Sequence, residues 1–454
     1  MPVLKHKKPA MDSSQSTSET VANVVIESNP LVDYPSLLPY EILSHIFVLS
    51  SYRHSVKLPY GKRDVPCQVI LSQVCSKWRH IALRTSALWS KVVVSQLLPY
   101  THHLLSIYRT WIGRAGNRPL TVTLEFGTST YGPIRVYNVF RNFVLPFRIE
   151  KLDIIELTYQ DLTELSQVSA LNVEEFAISL RQIWKEESFT APPFMNKARS
   201  ICLHGGDYDN SGQFQAMLKE LCLPWNQLHS LECHSPSACL SSLVNVLRQA
   251  PSLEKCHLTI YDAGSGPLAG ISMPSLRCLI LELDVHPNIA IPLFEAPNLT
   301  TLEVHSFGEW SSDTYDILRK HYRLHQLQQL NLYSRRFPLH IAQVLADAPM
   351  VRKLRVGGEA VVDAEAAEGI ASGQLGRHLS SLRLRSLFDH AGEWLDMIEA
   401  RQRYVNTMVT QVSNWKQMIT GIRFVEFGEV GNGIAYCDRV AALEALGTIV
   451  ILEF

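Results

Sequence analysis

Asp207, Asp209 and Ser211 alternate within Gly206-Asp-Tyr-Asp-Asn-Ser-Gly212, the spacing at which a calcium loop offers its first oxygen ligands, and Gly212 stands where such a loop turns sharply. The final ligand position holds Leu218 instead of the bidentate glutamate the ion requires, so this segment is expected to be a plain connection. Cys233 and His234, with His229 before them and Cys239 after, bring soft ligands close in sequence. Their spacing fits no zinc pattern, and Cys233 falls on the inward side of a strand repeat. Cys202 and Cys256 fit equivalent strand positions, where a small soft side chain is ordinary packing. No metal ligand is expected.

Gly264-Ser-Gly266 and Gly428-Glu-Val-Gly431-Asn-Gly433 lack the spacing that lines backbone N–H groups along a phosphate, so both are expected to be turns. Neither a G-x-S-x-G nucleophile elbow nor an H-E-x-x-H zinc helix occurs. Asn298-Leu-Thr300 has the form of a glycosylation sequon but falls where a strand begins. With no catalytic residue and no cofactor motif, the chain is expected not to be an enzyme.

The bulk properties narrow the class. Of 454 residues, 46% are hydrophobic and 19% charged, enough apolar material to bury and no signature of disorder across the body. A formal charge of −1 removes the global electrostatic argument for nucleic acid or an anionic membrane. Nine cysteines, an odd number with no C-x-x-C pair, argue against a disulfide framework and for a cytoplasmic or nuclear location. The basic start of the chain has no apolar run after it, and no run of 18 apolar residues occurs, so neither secretion nor membrane spanning is expected.

Residues 1–33 are rich in Ser, Thr, Lys and Glu and read as a disordered tail. Pro39 then suits a first helical position, and Ile42, Leu43, Ile46, Phe47 and Leu49 form one apolar face behind it. After a polar stretch, Leu71, Val74, Cys75, Trp78, Ile81 and Ala82 recur at the spacing of a second amphipathic helix. Leu104, Leu105, Tyr108, Trp111 and Ile112 mark a linking helix within 94–119, followed by strand-like alternation over Leu120–Phe126.

From there an apolar-x-x-apolar-x-apolar unit repeats. It occurs as Ile149/Leu152/Ile154, Val173/Phe176/Ile178, Ala198/Ile201/Leu203, Leu228/Leu231/Cys233 and Leu253/Cys256/Leu258. It continues as Leu276/Leu279/Leu281, Leu299/Leu302/Val304, Leu327/Leu330/Leu332, Val351/Leu354/Val356 and Leu379/Leu382/Leu384. Successive copies start 23 to 30 residues apart, and several open on Ala-Pro-x-Leu or a close variant, where the proline is expected to deliver the chain, extended, into a strand. A strand with a helical return of this length is the leucine-rich-repeat unit. The missing asparagine after the last leucine predicts an irregular solenoid over 120–454, with an atypical C-terminal cap.

Leu38-Pro-Tyr-Glu-Ile-Leu-Ser-His-Ile-Phe47, with Val74-Cys-Ser-Lys-Trp-Arg-His-Ile-Ala82 and Thr85-Ser-Ala-Leu-Trp89, resembles the F-box, especially its fungal families, over about Pro35 to Val93. The resemblance implies an α/β chain with an F-box-like helical module at 34–93, interrupted by an insertion at about 51–70, ahead of the repeats. It also implies docking on a Skp-type adaptor, and through it a cullin-RING ubiquitin ligase, while the repeats hold an unidentified target protein. Leu38, Pro39, Ile42, Leu43, Ile46, Val74, Cys75, Trp78, Leu88 and Trp89 carry over as core or adaptor-binding positions, many of them expected in the core. The competing reading is a leucine-rich-repeat interaction scaffold with no link to ubiquitination.

Alternation along the repeat strands assigns the target-facing side. Asp153, Glu175, Glu232, Glu282 and Glu303 face it in the earlier repeats, and Lys353, Arg355, Arg383 and Arg385 in the last two, so that face is expected to be electrically split. The four cations are the expected substrate-binding residues, suited to an acidic or phosphorylated segment.

Overall fold

The computed structural model describes residues 38–51, 56–58, 65–95, 102–126, 136–157, 164–165, 168, 173–180, 198–204, 223–234, 239–264, 268–308, 310–361, 363–385, 391–411, 420–427 and 437–452. The tail at 1–33, the Gly206–Gly212 segment and the Gly428–Gly433 segment lie outside these residues.

Helix α1 (Tyr40–Ser51) opens as Pro39 predicts: the proline carbonyl accepts the first helical bond from the Leu43 N–H at 3.1 Å. The second amphipathic run is not one helix. It divides into α2 (Cys67–Gln73) and α3 (Ser76–Arg84), because Cys75 adopts an extended backbone and its sulfur caps α3 by accepting from the Trp78 N–H at 3.4 Å. The stretch from 51 to 70 is correspondingly less of an insertion than its sequence implies. It holds strand β1 (Val56–Leu58) and the start of α2. A 3-10 turn over Ser86–Trp89 then leads into β2 (Lys91–Val94).

Two parallel sheets carry the rest. After β2 come α4 (His102–Ala115), β3 (Leu120–Glu125), α5 (Val136–Phe143), β4 (Ile149–Leu157) and β5 (Val173–Leu180), and β1 to β5 pair in chain order. The helical module and the strands are thus not separate at residue 120, since β1 and β2 from the module form the first edge of this sheet. The second sheet has ten strands in chain order. They are β6 (Ser200–His204), β7 (Ser230–His234), β8 (Lys255–Ile260), β10 (Cys278–Leu283), β12 (Thr301–Ser306), β13 (Gln329–His340), β14 (Lys353–Val361), β15 (Ser381–Arg385), β16 (Phe424–Phe427) and β17 (Ile449–Leu452). Two short strands, β9 (Ile271–Ser272) and β11 (Phe294–Glu295), pair separately between them.

The repeat triads supply the interior. Every described triad side chain is buried, and one register line runs through Leu231, Cys256, Leu279, Leu302, Leu330, Leu354, Leu382, Val425 and Val450. Each fully buried aliphatic side chain contributes about 1.5–3 kcal/mol, and a strand cannot slip by one residue without turning that whole row outwards. The Ala-Pro-x-Leu phrases do not enter the strands extended. In each, the fourth residue donates its N–H to the carbonyl of the first, at 3.1 to 3.3 Å for Leu253, Leu299 and Val351. Proline therefore sits second in a hydrogen-bonded turn, where its fixed φ is suited to the corner.

The remaining helices are α6 (Leu240–Leu247), α7 (Pro287–Ala290), α8 (Ser312–His321), α9 (Ile341–Asp347), α10 (Ala364–Ser372), α11 (Ala391–Gln411) and α12 (Cys437–Ala445). The apolar face of α6, with Leu240, Leu243 and Leu247, is buried in the common core. Helix α10 begins on an Asp363 cap and ends at Gly373, whose φ of 78° is the left-handed conformation that closes a helix C-terminus.

Candidate docking and capture surfaces

Helix α1 has two apolar faces, which an isolated domain does not need. Leu43 and Phe47 are buried, and Phe47 packs on Trp78 with ring centroids 4.9 Å apart. On the other side Ile42 and Ile46 are 49% and 44% exposed, joined by Leu38 just before α1, by Leu49 on it and by Ile70 and Val74, Val74 at 57%, from α2 and the α2–α3 junction. Of the sixteen large hydrophobic residues exposed among the described residues, eight lie between Leu38 and Leu83. Such concentration marks an interaction surface, since scattered exposed apolar residues are ordinary and a cluster is not.

The ten adaptor-binding positions separate accordingly. Leu38, Pro39, Ile42, Ile46, Val74 and Cys75 are exposed, and Trp78 is partly so. Leu43, Leu88 and Trp89 are not contact residues, for they are buried inside the module. The Trp89 indole donates to the Ala82 carbonyl at 2.9 Å, meets Trp111 of α4 edge-on at 5.3 Å and lies under the Arg114 guanidinium at 4.5 Å. Trp89 thereby fixes the module to the sheet, a role its place in the motif alone does not reveal.

On the larger sheet, Lys353, Arg355 and Arg383 line a hollow of about 600 Å³ together with Arg423, Glu303, Gln329 and Asn331. Arg355 of β14 and Arg383 of β15 are register partners, and like charges placed directly opposite destabilise a sheet. Lys353, Arg355, Arg383 and Arg423 thus bring four cations to one hollow beside Glu303, with Glu426 the register partner of Arg383 on β16. Arg423 was missed because it precedes the short strand β16 and belongs to no triad. Arg385 is the register partner of Gly357, and its side chain lies outside what is described. A second hollow of about 140 Å³ shares Arg355 and adds His305, Phe307 and Tyr333. Gly357 is required here, because a Cβ at that position meets the Tyr333 ring at 2.1 Å.

The opposite half of this face is not simply acidic, contrary to the expected electrical split. Glu232 pairs with Lys255, Glu282 with His257 at 3.2 Å and Glu303 with His305 at 3.6 Å. On the smaller sheet Lys151 stands 3.7 Å from Asp153, whose carboxyl is pushed up by burial, while Glu175 is exposed. The close contact with the His257 ring holds Glu282 at about 2 against its burial, with help from the Thr259 hydroxyl. Burial raises Glu232, but Lys255, His257 and His234 overcome it and leave a net lowering. The histidines went unassigned in the sequence because each is separated from its carboxylate by a strand crossover or lies two residues along from it. Cys233 and Cys239 are buried, as inward placement requires.

Glu303 makes the electrostatics testable. The His305 contact lowers its pKa against burial, aided by Asn331 and Arg355. A carboxylate so lowered contributes stability that is fully present above the ordinary glutamate range and is lost as pH falls through the lowered value. Glu303→Gln is therefore expected to lower the urea midpoint at pH 7 and to converge with the parent chain below about pH 4. A constant difference across that range contradicts the assignment.

Residues 36–95 match the F-box-like domain family. An F-box-like domain thus occupies the helices whose outer apolar face is exposed, and it ends at Ser95, just past β2. No curated protein matches the chain. F-box domains in general bind Skp-type adaptors and work with cullin ligases.

Proposed function

We propose that this chain is the substrate receptor of a Skp/cullin/F-box-type ubiquitin ligase, acting by binding and not by catalysis. The observation that carries the reading is the second apolar face of α1, exposed within a matched F-box-like domain. Leu38, Ile42, Ile46 and Val74 form its centre, and burying them against the adaptor supplies the association energy, since a few well-packed residues dominate most interfaces. The parallel strands beyond are read as an irregular leucine-rich-repeat solenoid. Its strands are added in chain order with buried triads, so the unit grows in one dimension and leaves one sheet face for a partner.

The target is held by the hollow around Arg355, which fits a segment carrying carboxylates or phosphates. The working location is the cytoplasm or nucleus, where the free thiols remain reduced. The reading is tested by affinity purification of the full chain from its own cells, beside Ile42→Asp with Ile46→Asp. Cullin and adaptor are expected to be lost from the variant while the target is retained. Recovery of the target alone from both forms favours a scaffold without a ligase.

A further inference from the structure

The larger sheet also gathers groups that the capture hollow does not use. His234 of β7, His257 of β8 and Glu282 of β10 come from three successive hydrogen-bonded strands, and their ligand atoms all lie within 4.8 Å of one another. We propose that these three side chains form a binding site for a divalent transition metal of the zinc type. Two imidazoles and a carboxylate are the donors such an ion takes, with one position left for water or another ligand.

The geometry favours a metal over a chain of ion pairs. In a tetrahedral zinc site, bonds of about 2.0–2.2 Å hold ligand atoms about 3.3–3.5 Å apart. His257 Nε2 and Glu282 Oε1 are already 3.2 Å apart. That nitrogen is shut off from solvent and has no well-directed hydrogen bond, so its contact with the carboxylate is close without being aligned. The His234 and His257 rings meet edge to face at 4.2 Å, which keeps the third ligand within 4.8 Å of the other two.

The surroundings orient the three groups. Thr259 donates to the other Glu282 oxygen at 2.9 Å and stands 3.3 Å from His234 Nδ1. His234 Nε2 faces Glu232 Oε2 at 3.9 Å, so an ion taken on the Glu282 side leaves this ring N–H directed at a second carboxylate. Such outer partners fix the tautomer and raise ligand basicity. Cys202, Glu232 and His234 converge similarly on the neighbouring side, but Glu232 is engaged by Lys255 there, which makes that set the poorer one. All these residues lie on strands whose buried rows fix their positions, so the donors are held ready without a mobile loop.

The test uses the purified full chain, stripped with a chelator and titrated with Co²⁺ as a spectroscopic probe and Zn²⁺ as competitor. One Co²⁺ per chain is expected, with the intense visible bands of a low-coordinate site, displaced by Zn²⁺. His257→Ala and Glu282→Gln are each expected to weaken binding more than about 100-fold, and Thr259→Val about 10–100-fold. His305→Ala, two strands from His257, retains full affinity. Circular dichroism of each variant establishes that it is folded, and Zn²⁺ is expected to raise the melting temperature of the parent chain but not of Glu282→Gln. Absence of stoichiometric binding, or equal affinity in the folded His257→Ala and Glu282→Gln variants, overturns the proposal.

Discussion

Arg401→Ala is expected to lower stability by about 3–5 kcal/mol, the range found when a buried charge network loses its centre. Arg401 lies in α11 with its side chain wholly buried. Among the described residues no carboxylate holds it. Instead its guanidinium donates to the carbonyls of Ile370 at 2.7 Å, Gly376 at 3.0 Å, Arg377 at 3.1 Å and Thr420 at 2.9 Å. Burial brings its pKa down to about 10, so it stays charged at neutral pH. Ile370 belongs to the last turn of α10, where the aligned peptide dipoles place partial negative charge. Alanine leaves these carbonyls buried and unpaired, each at about 1–3 kcal/mol before relaxation. Lysine keeps the charge but loses the planar fork, so Arg401→Lys is expected to recover less than half of the loss. Urea unfolding measures both, and a loss below about 1 kcal/mol for alanine contradicts this account of the C-terminal packing.

The second large effect is on target binding. Arg355→Glu with Arg383→Glu is expected to weaken target capture by about 100-fold or more, because hydrogen bonds to charged groups contribute about 1.5–3 kcal/mol each and reversal adds repulsion. Both residues line the larger hollow from adjacent strands. The parent interaction should also weaken steeply with salt. Adaptor binding and melting temperature are expected to stay nearly unchanged, since the pair lies in β14 and β15 of the larger sheet, whereas the helical domain joins the smaller one. Unaltered target recovery rejects the basic hollow as the capture site. A large fall in melting temperature shows instead that the two side chains serve the fold.

The strand interiors were legible in the sequence because burial imposes a short-range rule: Leu302 and Val304 must both point inwards, and so must their equivalents in every copy. The outward rows followed from the same alternation, which is how Lys353, Arg355 and Arg383 were placed on one face. What was not legible depends on contacts between strands some 25 residues apart. Lys255 beside Glu232, His257 beside Glu282 and Arg423 in the same hollow as Arg383 arise from the packing of strands, and nothing local in the chain signals them. The break at Cys75 was hidden for a different reason. Two short helices in line keep the apolar spacing of one, and only the extended backbone at the cap distinguishes them. Likewise, the motif that marks Trp89 cannot tell an interior anchor from a contact residue, because both are large, apolar and fixed in position.

The account rests most directly on the outer face of α1. Mixing the purified full chain with a purified Skp-type adaptor, followed by calorimetry and size-exclusion chromatography, is expected to give a one-to-one complex. In the Ile42→Asp, Ile46→Asp variant that complex is expected to be lost, with the melting temperature preserved because both side chains already face solvent. A folded parent chain that forms no complex at micromolar concentrations, or a variant that binds as tightly as the parent, contradicts the reading of this chain as a ligase receptor.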